Sequence, residues 1–267
     1  MSTVTSRDGT TIGFDRKGNG PALVVVTGAT QYRAVDRTTP VLAGLLADDF
    51  TVVSYDRRGR GESGEASPYA VAREIEDIEA LIDANGGEAL LFGMSSGAVL
   101  VLEAAAALGA KVMGAVLYEP PVDPDQSSAD GWRNHAEMAA LLQQGRVEDM
   151  MIRFLEGVGM SPEALAGFRA SPAWPAFASI GATIEHDYRI LAEATDGDRH
   201  PARWRQVTAP VLVVDGDASF PFMAGGADWV AAGVPGAERR TLAGQGHDFD
   251  PAVVAPVVRR FLARMPV

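Results

Sequence analysis

The chain has 267 residues, 47% of them hydrophobic, which is enough for a sizeable core and argues against disorder. Its 23 basic and 35 acidic residues leave a net charge of −12, which argues against nucleic acid and anionic membranes as partners. There is no cysteine, so disulfides, thiolate chemistry and cysteine-held metals are excluded.

Asp8-Gly9 is a tight-turn dipeptide, and Thr10 to Phe14 returns from it as the second arm of a hairpin. Pro21 then opens Ala22-Leu23-Val24-Val25-Val26-Thr27, a continuous apolar run of the kind expected for a strand buried on both faces. Thr51 to Tyr55, Ala89 to Phe92, Val112 to Tyr118 and Val211 to Val214 read the same way, and Arg239 to Leu242 more weakly. Helical patterns fall at about Pro40 to Ala47, Ala70 to Ala84, Gly97 to Leu108 and Pro251 to Ala263. Strands alternating with helices predict a doubly wound, mostly parallel α/β sheet, with ligands at the carboxyl ends of the strands.

The rhythm breaks between Tyr118 and Val211. Helical periodicity dominates there: Ala136 to Gln144, Val147 to Gly157, Pro162 to Phe168 and Ala182 to Ala194. This predicts a core domain of residues 1–121 and 206–267 and a helical cap of residues 122–205 over one end of the sheet.

The strand ends carry the chemistry. Gly93-Met94-Ser95-Ser96-Gly97 reads G-x-S-x-G between a strand and a helix. That turn holds a serine in a strained backbone conformation, and only small residues two positions away avoid a clash. Ser95 is therefore the candidate nucleophile. His247 follows the last strand within Gly244-Gln245-Gly246-His247, while His135, His186 and His200 fall in the insertion. A serine hydroxyl needs a base to take its proton, a carboxylate to orient that base, and two backbone N–H groups facing the developing oxyanion. Three carboxylates compete for the middle role: Glu119 after the fourth core strand, and Asp215 and Asp217 after the fifth.

On these motifs, and on Asp56-Arg57-Arg58-Gly59-Arg60-Gly61-Glu62-Ser63, nearly the whole chain resembles the α/β-hydrolase superfamily. The resemblance implies a doubly wound sheet under a helical cap and a serine esterase. It also implies Ser95, His247 and a carboxylate as catalytic residues, with Ala29 and Ser96 as oxyanion-hole donors. Relatives usually carry His-Gly where Thr27-Gly28 stands here, and backbone donors tolerate that change. They usually place the acid at the position of Ser219, which cannot serve. Zearalenone lactonases and some haloalkane dehalogenases place it directly after the fourth core strand, where Tyr118-Glu119-Pro120-Pro121 stands. The lactonase likeness extends to Gly93 through Ala98 and to Pro172-Ala173-Trp174, which resembles a substrate-contacting Pro-x-Trp. It thus favours Glu119 over Asp217 and names Trp174 as substrate-binding; Gly28, just after the first core strand, is a second substrate-binding candidate.

The expected reaction is cofactor-independent cleavage of a carboxylic ester or lactone with a hydrophobic body, through an acyl-enzyme on Ser95. A C–C bond hydrolase or thioesterase would use the same triad, and a non-catalytic ligand-binding protein the same scaffold. Serine at position 95 argues against epoxide hydrolases and haloalkane dehalogenases, whose nucleophile is an aspartate. The insertion and the loop after Ser219 are rich in Trp, Phe, Tyr and Met, consistent with an apolar pocket. No His/Asp/Glu set has metal spacing, so no metal and no organic cofactor is expected. The partners expected are a small hydrophobic ester or lactone and neither nucleic acid nor membrane. A monomer or homodimer is expected. No run approaches the roughly 18 apolar residues of a membrane span, and the first residues lack a signal pattern. A cytoplasmic location is the expectation.

Overall fold

The computed structural model describes residues 2–197 and 199–265. The chain opens with β1 (Ser2–Thr5), β2 (Thr11–Lys17), β3 (Ala22–Val26), α1 (Thr38–Leu46), β4 (Thr51–Tyr55), α2 (Val71–Asp83), β5 (Ala89–Met94), α3 (Ser96–Leu108) and β6 (Val112–Tyr118). Five helices follow: α4 (Ser128–Gln143), α5 (Val147–Gly157), α6 (Pro162–Arg169), α7 (Trp174–Ala178) and α8 (Ile184–Ala194). The chain closes with β7 (Val211–Gly216), α9 (Met223–Gly233), β8 (Glu238–Leu242) and α10 (Pro251–Leu262).

One eight-stranded sheet runs in the order β1-β2-β4-β3-β5-β6-β7-β8. The β1/β2 and β2/β4 pairs are antiparallel and every other pair is parallel. The parallel strands read as unbroken apolar runs because both faces are covered. Along β3, Val24 and Val26 join the cluster with α2 and α3, while Leu23 and Val25 join the cluster with α1 and α10. After β3 the chain passes to β4 on one side, then back to β5 on the other. Strand order reverses there, and the crevice it leaves at the carboxyl ends of β3 and β5 is where such sheets bind ligands.

The interval between β6 and β7 is helical, and two of its helices have side-chain caps. Ser127 and Asp130 form a reciprocal capping box on α4, and Ser161 caps α6 with Pro162 at its first position. Its side chains form their own core: Met138, Met150, Met151, Leu155, Leu165, Trp174, Ile180 and Ile184, joined by Tyr32 from the loop after β3. Helix α8 packs against both α4 and α3. Trp204, placed by the sequence reading in the cap, is fully buried in the cluster that holds α2 and α3.

The loop after β4 contributes three buried arginines. Arg57 is 1%, Arg58 0% and Arg60 1% exposed, values seen only when guanidinium groups are paired. Arg57 makes a two-pronged contact with Glu74 of α2, at 2.7 Å for each bond. Arg58 makes the same kind of contact with Asp77, at 2.8 and 2.7 Å. Burial opposes the charge on Glu74, yet the Arg57 guanidinium holds its carboxyl down at about 2. A carboxyl lowered on folding stabilises the native state above its unfolded value of 4.5, and that stability is lost as pH falls toward 2. The loss should be on the order of 3 kcal/mol. Urea midpoints measured between pH 5 and pH 2 should fall accordingly, and Glu74→Gln should flatten the slope. An unchanged slope in Glu74→Gln would assign the acid sensitivity elsewhere.

Candidate active site

Ser95 follows β5 and takes the N-cap position of α3 with φ 55° and ψ −132°, a conformation that costs a non-glycine residue on the order of 1–3 kcal/mol. Its surroundings leave room for nothing else. A Cβ on Gly93 would lie 2.7 Å from Ala98 Cα, and one on Gly97 would meet the Val26 and Thr27 carbonyl oxygens. The two glycines of the pentapeptide are thus steric requirements of helix α3 crossing close to the strands. The Ser95 N–H donates to the Tyr118 carbonyl at 2.9 Å, which fixes the turn to the end of β6.

Glu119 follows immediately. It too has a positive φ, 47°, and it is fully buried. Its carboxylate is saturated from three elements. Oε1 accepts the Gly216 N–H of β7 at 2.9 Å, and Oε2 accepts the Ser219 hydroxyl at 2.7 Å. Oε2 also lies 2.7 Å from His247 Nδ1. An ionised carboxylate only accepts, so Nδ1 is the donor in this contact, and in the neutral imidazole Nε2 then keeps its lone pair. Burial and the neighbouring Glu119 charge push the Tyr118 phenol up. The Tyr118 hydroxyl donates to the Gly246 carbonyl at 2.6 Å, holding the histidine loop over the end of β6.

The competing carboxylates are occupied elsewhere. Asp217 Oδ1 accepts the Gly244 N–H at 2.6 Å, and the fully buried Asp215 pairs with Arg239 at 2.7 Å. The other histidines are also engaged. His135 meets Glu185 at 2.5 Å, His200 meets the Trp229 carbonyl at 2.8 Å, and His186 stacks on Tyr69 with ring centroids 3.7 Å apart. Among the described residues, Ser95 Oγ takes part in no hydrogen bond, with His247 or otherwise. Bonds of this kind often tighten only when substrate is bound.

The loop after β3 passes close to the serine: a Cβ on Gly28 would stand 2.7 Å from Ser95 Cβ. The Gly28 N–H is taken by Gln31 Oε1 at 2.9 Å, so Ala29 is the next residue with an N–H to offer. Ser96 is the first residue of α3, where no intrahelical carbonyl reaches its N–H. Trp174 is 8% exposed, packs edge-to-face on Phe168, and gives its indole N–H to Glu148 at 3.1 Å. Phe220 packs beside His247, with ring centroids 5.6 Å apart. Among the described residues, no group of three or more His, Asp or Glu is placed to hold a metal ion. Likewise, no helix is long and apolar enough to cross a membrane.

The sequence reading missed one cluster beside the site. Ser96 Oγ donates to Asp187 Oδ1 of α8 at 2.6 Å, and Asp187 also receives Arg57 and Arg60, each at 2.6 Å. Burial opposes the charge on Asp187, but Arg60 and Arg57 hold its carboxyl below the usual range. Three arginines within four residues after a strand were the available signal.

The family model described as the alpha/beta hydrolase family matches residues 23–257. The chain belongs to the α/β-hydrolase family. A solved α/β-hydrolase from Sphaerobacter thermophilus is similar at 40% identity and a TM-score of 0.82, over 98% of this chain and 100% of that one. An esterase from Thermogutta terrifontis shares the fold at 20% identity and a TM-score of 0.71, covering 98% of each chain. An enol-lactonase from Burkholderia xenovorans shares it at 16% identity and a TM-score of 0.70, over 98% of this chain and 100% of that one. This α/β-hydrolase therefore pairs the family fold with a carboxylate held after β6.

Proposed function

We propose that this α/β-hydrolase is a serine hydrolase that cleaves a carboxylic ester or lactone with a hydrophobic body. The observation that carries the reading is the 2.7 Å contact between His247 Nδ1 and the buried, triply bonded Glu119, one residue beyond the strand end to which Ser95 is tied. In this reading Ser95 Oγ attacks the carbonyl carbon and His247 Nε2 takes the hydroxyl proton. The N–H groups of Ala29 and Ser96 receive the oxyanion. As the tetrahedral species collapses, His247 returns the proton to the leaving alkoxide and an acyl-enzyme remains. Water, deprotonated by His247, then releases the acid and restores Ser95. Glu119 keeps the imidazole in the required tautomer and stabilises its charged form. With a lactone the leaving alkoxide stays attached to the acyl chain, so hydrolysis competes with re-closure.

The segment between β6 and β7 is the cap in this reading, and its core is continuous with Ala29 and Tyr32 beside the serine. Trp174 contributes an apolar wall, its N–H being held by Glu148. The esterase and enol-lactonase likenesses are compatible with this chemistry. A fluorophosphonate probe tests it. Mass spectrometry should find the adduct on Ser95 in the wild type and none in Ser95→Ala. Labelling that is absent, or equal in both, would refute the reading and favour a ligand-binding role. Rates on aryl esters, thioesters, small lactones and macrolactones then rank the substrates, with the ester and lactone sets expected fastest.

A further inference from the structure

We infer that Arg60 and Asp187 are positioning residues that set the two oxyanion donors as one unit, and that helix α8 is thereby part of the catalytic frame. The inference rests on the serine-hydrolase reading. It begins with a single peptide group. The carbonyl of Gly28 and the N–H of Ala29 belong to the same planar unit, so they point in opposite directions. Arg60 Nη1 donates to that carbonyl at 2.6 Å. A charge-assisted bond on the oxygen fixes the plane of the peptide, and with it the direction of the Ala29 N–H. It also polarises the amide, which makes the N–H a stronger donor.

The second donor is held from the same point. Asp187 Oδ2 receives Arg60 Nη2 at 2.6 Å, and Asp187 Oδ1 receives the Ser96 hydroxyl at 2.6 Å. Anchoring that hydroxyl locks the Ser96 side chain and the first turn of α3, whose leading N–H is the other donor. One carboxylate thus spans the supports of both N–H groups. The remaining bonds make the arrangement rigid. Arg60 Nε donates to Thr183 Oγ1 at 2.9 Å, and Arg57 Nη1 donates to Asp187 Oδ1 at 2.6 Å. Arg60, Asp187 and Ser96 are 1%, 2% and 2% exposed. Buried ion clusters of this kind return little stability over well-packed apolar side chains. Preorganised donors, by contrast, are where an acyl-transfer site gains most.

Asp187 comes from α8, while Gly28 and Arg60 come from the loops after β3 and β4 and Ser96 from the start of α3. A shift of α8 removes the shared carboxylate and releases both donors together.

The test compares a transition-state mimic with a ground-state one. An aryl trifluoromethyl ketone adds to Ser95 Oγ and places its oxyanion in the hole, whereas the parent methyl ketone only occupies the site. In Arg60→Lys and Asp187→Asn, kcat for p-nitrophenyl acetate should fall at least about tenfold with KM within about twofold. Trifluoromethyl ketone affinity should fall by the same factor, and methyl ketone affinity should hold. Ser96→Ala removes only the hydroxyl and should show a smaller, parallel loss of about three- to tenfold in kcat and ketone affinity. If the two charged variants do not fold, Ser96→Ala decides. A folded variant with unchanged kcat and ketone affinity overturns the inference, as does equal weakening of both ketones. A wild type that neither turns over p-nitrophenyl acetate nor binds the trifluoromethyl ketone fails at the underlying reading instead, and the inference falls with it.

Discussion

Glu119→Gln is expected to lower kcat on an activated ester by about 10⁴-fold while leaving the fold intact. The amide is nearly isosteric, and its oxygen can still accept the Gly216 N–H or the Ser219 hydroxyl. What it loses is the negative charge beside Nδ1. An amide NH₂ facing His247 invites the ring to present its lone pair at Nδ1, which puts the proton at Nε2. The base is then blocked toward Ser95, and the imidazolium formed during attack has no counter-charge. Asp217→Asn is the contrasting variant. Asp217 holds the Gly244 N–H from an exposed turn, so its charge is remote from the reaction and kcat should stay within about threefold. Steady-state rates on p-nitrophenyl acetate decide between them. A severe loss in Asp217→Asn with an active Glu119→Gln would transfer the orienting role to Asp217.

Ser95→Gly should abolish turnover and raise stability at the same time. Removing the nucleophile of a serine hydrolase costs about 10⁶-fold in kcat, leaving only the residual catalysis of the oxyanion donors. Meanwhile φ 55° with ψ −132° is accessible to glycine without strain. Relief of that strain should stabilise the variant by about 1 kcal/mol, after allowing for the greater freedom of glycine in the unfolded chain. Ser95→Ala keeps the strained backbone and should lose activity without the gain. Thermal or urea unfolding of the three proteins measures the difference. A Ser95→Gly variant no more stable than Ser95→Ala would mean that the turn stores no strain.

The parts of this site that depend on local backbone chemistry were legible in the sequence. Gly93 and Gly97 flank Ser95 because the turn admits no side chain there, and that constraint is readable from five residues. Strand ends were readable too, since strands buried on both faces end where polar residues begin. This placed Glu119 and His247 at the rim, where Glu119 Oε2 and His247 Nδ1 now lie 2.7 Å apart.

What escaped was set by partners distant in the chain. Arg57, Arg58 and Arg60 entered the sequence reading only as part of a family motif, and their burial is decided by Glu74, Asp77 and Asp187. Nothing near Trp174 announces that Glu148, 26 residues away, takes its N–H. Helix α9 was missed for another reason. Gly225, Gly226 and Gly233 depress its intrinsic helicity, and tertiary packing of Ala227 and Val230 restores it. Gly226 has a packing role, since a Cβ there would strike the Val122 carbonyl.

Ser219 stands where the family resemblance implies an acid, and its hydroxyl donates to Glu119 Oε2 at 2.7 Å. The side chains from positions 119 and 219 therefore converge on one point beside the histidine ring, although they leave from loops beyond two different strands. Two chain positions thus reach the same point in space, and here position 119 supplies the carboxylate and position 219 a hydroxyl donor to it.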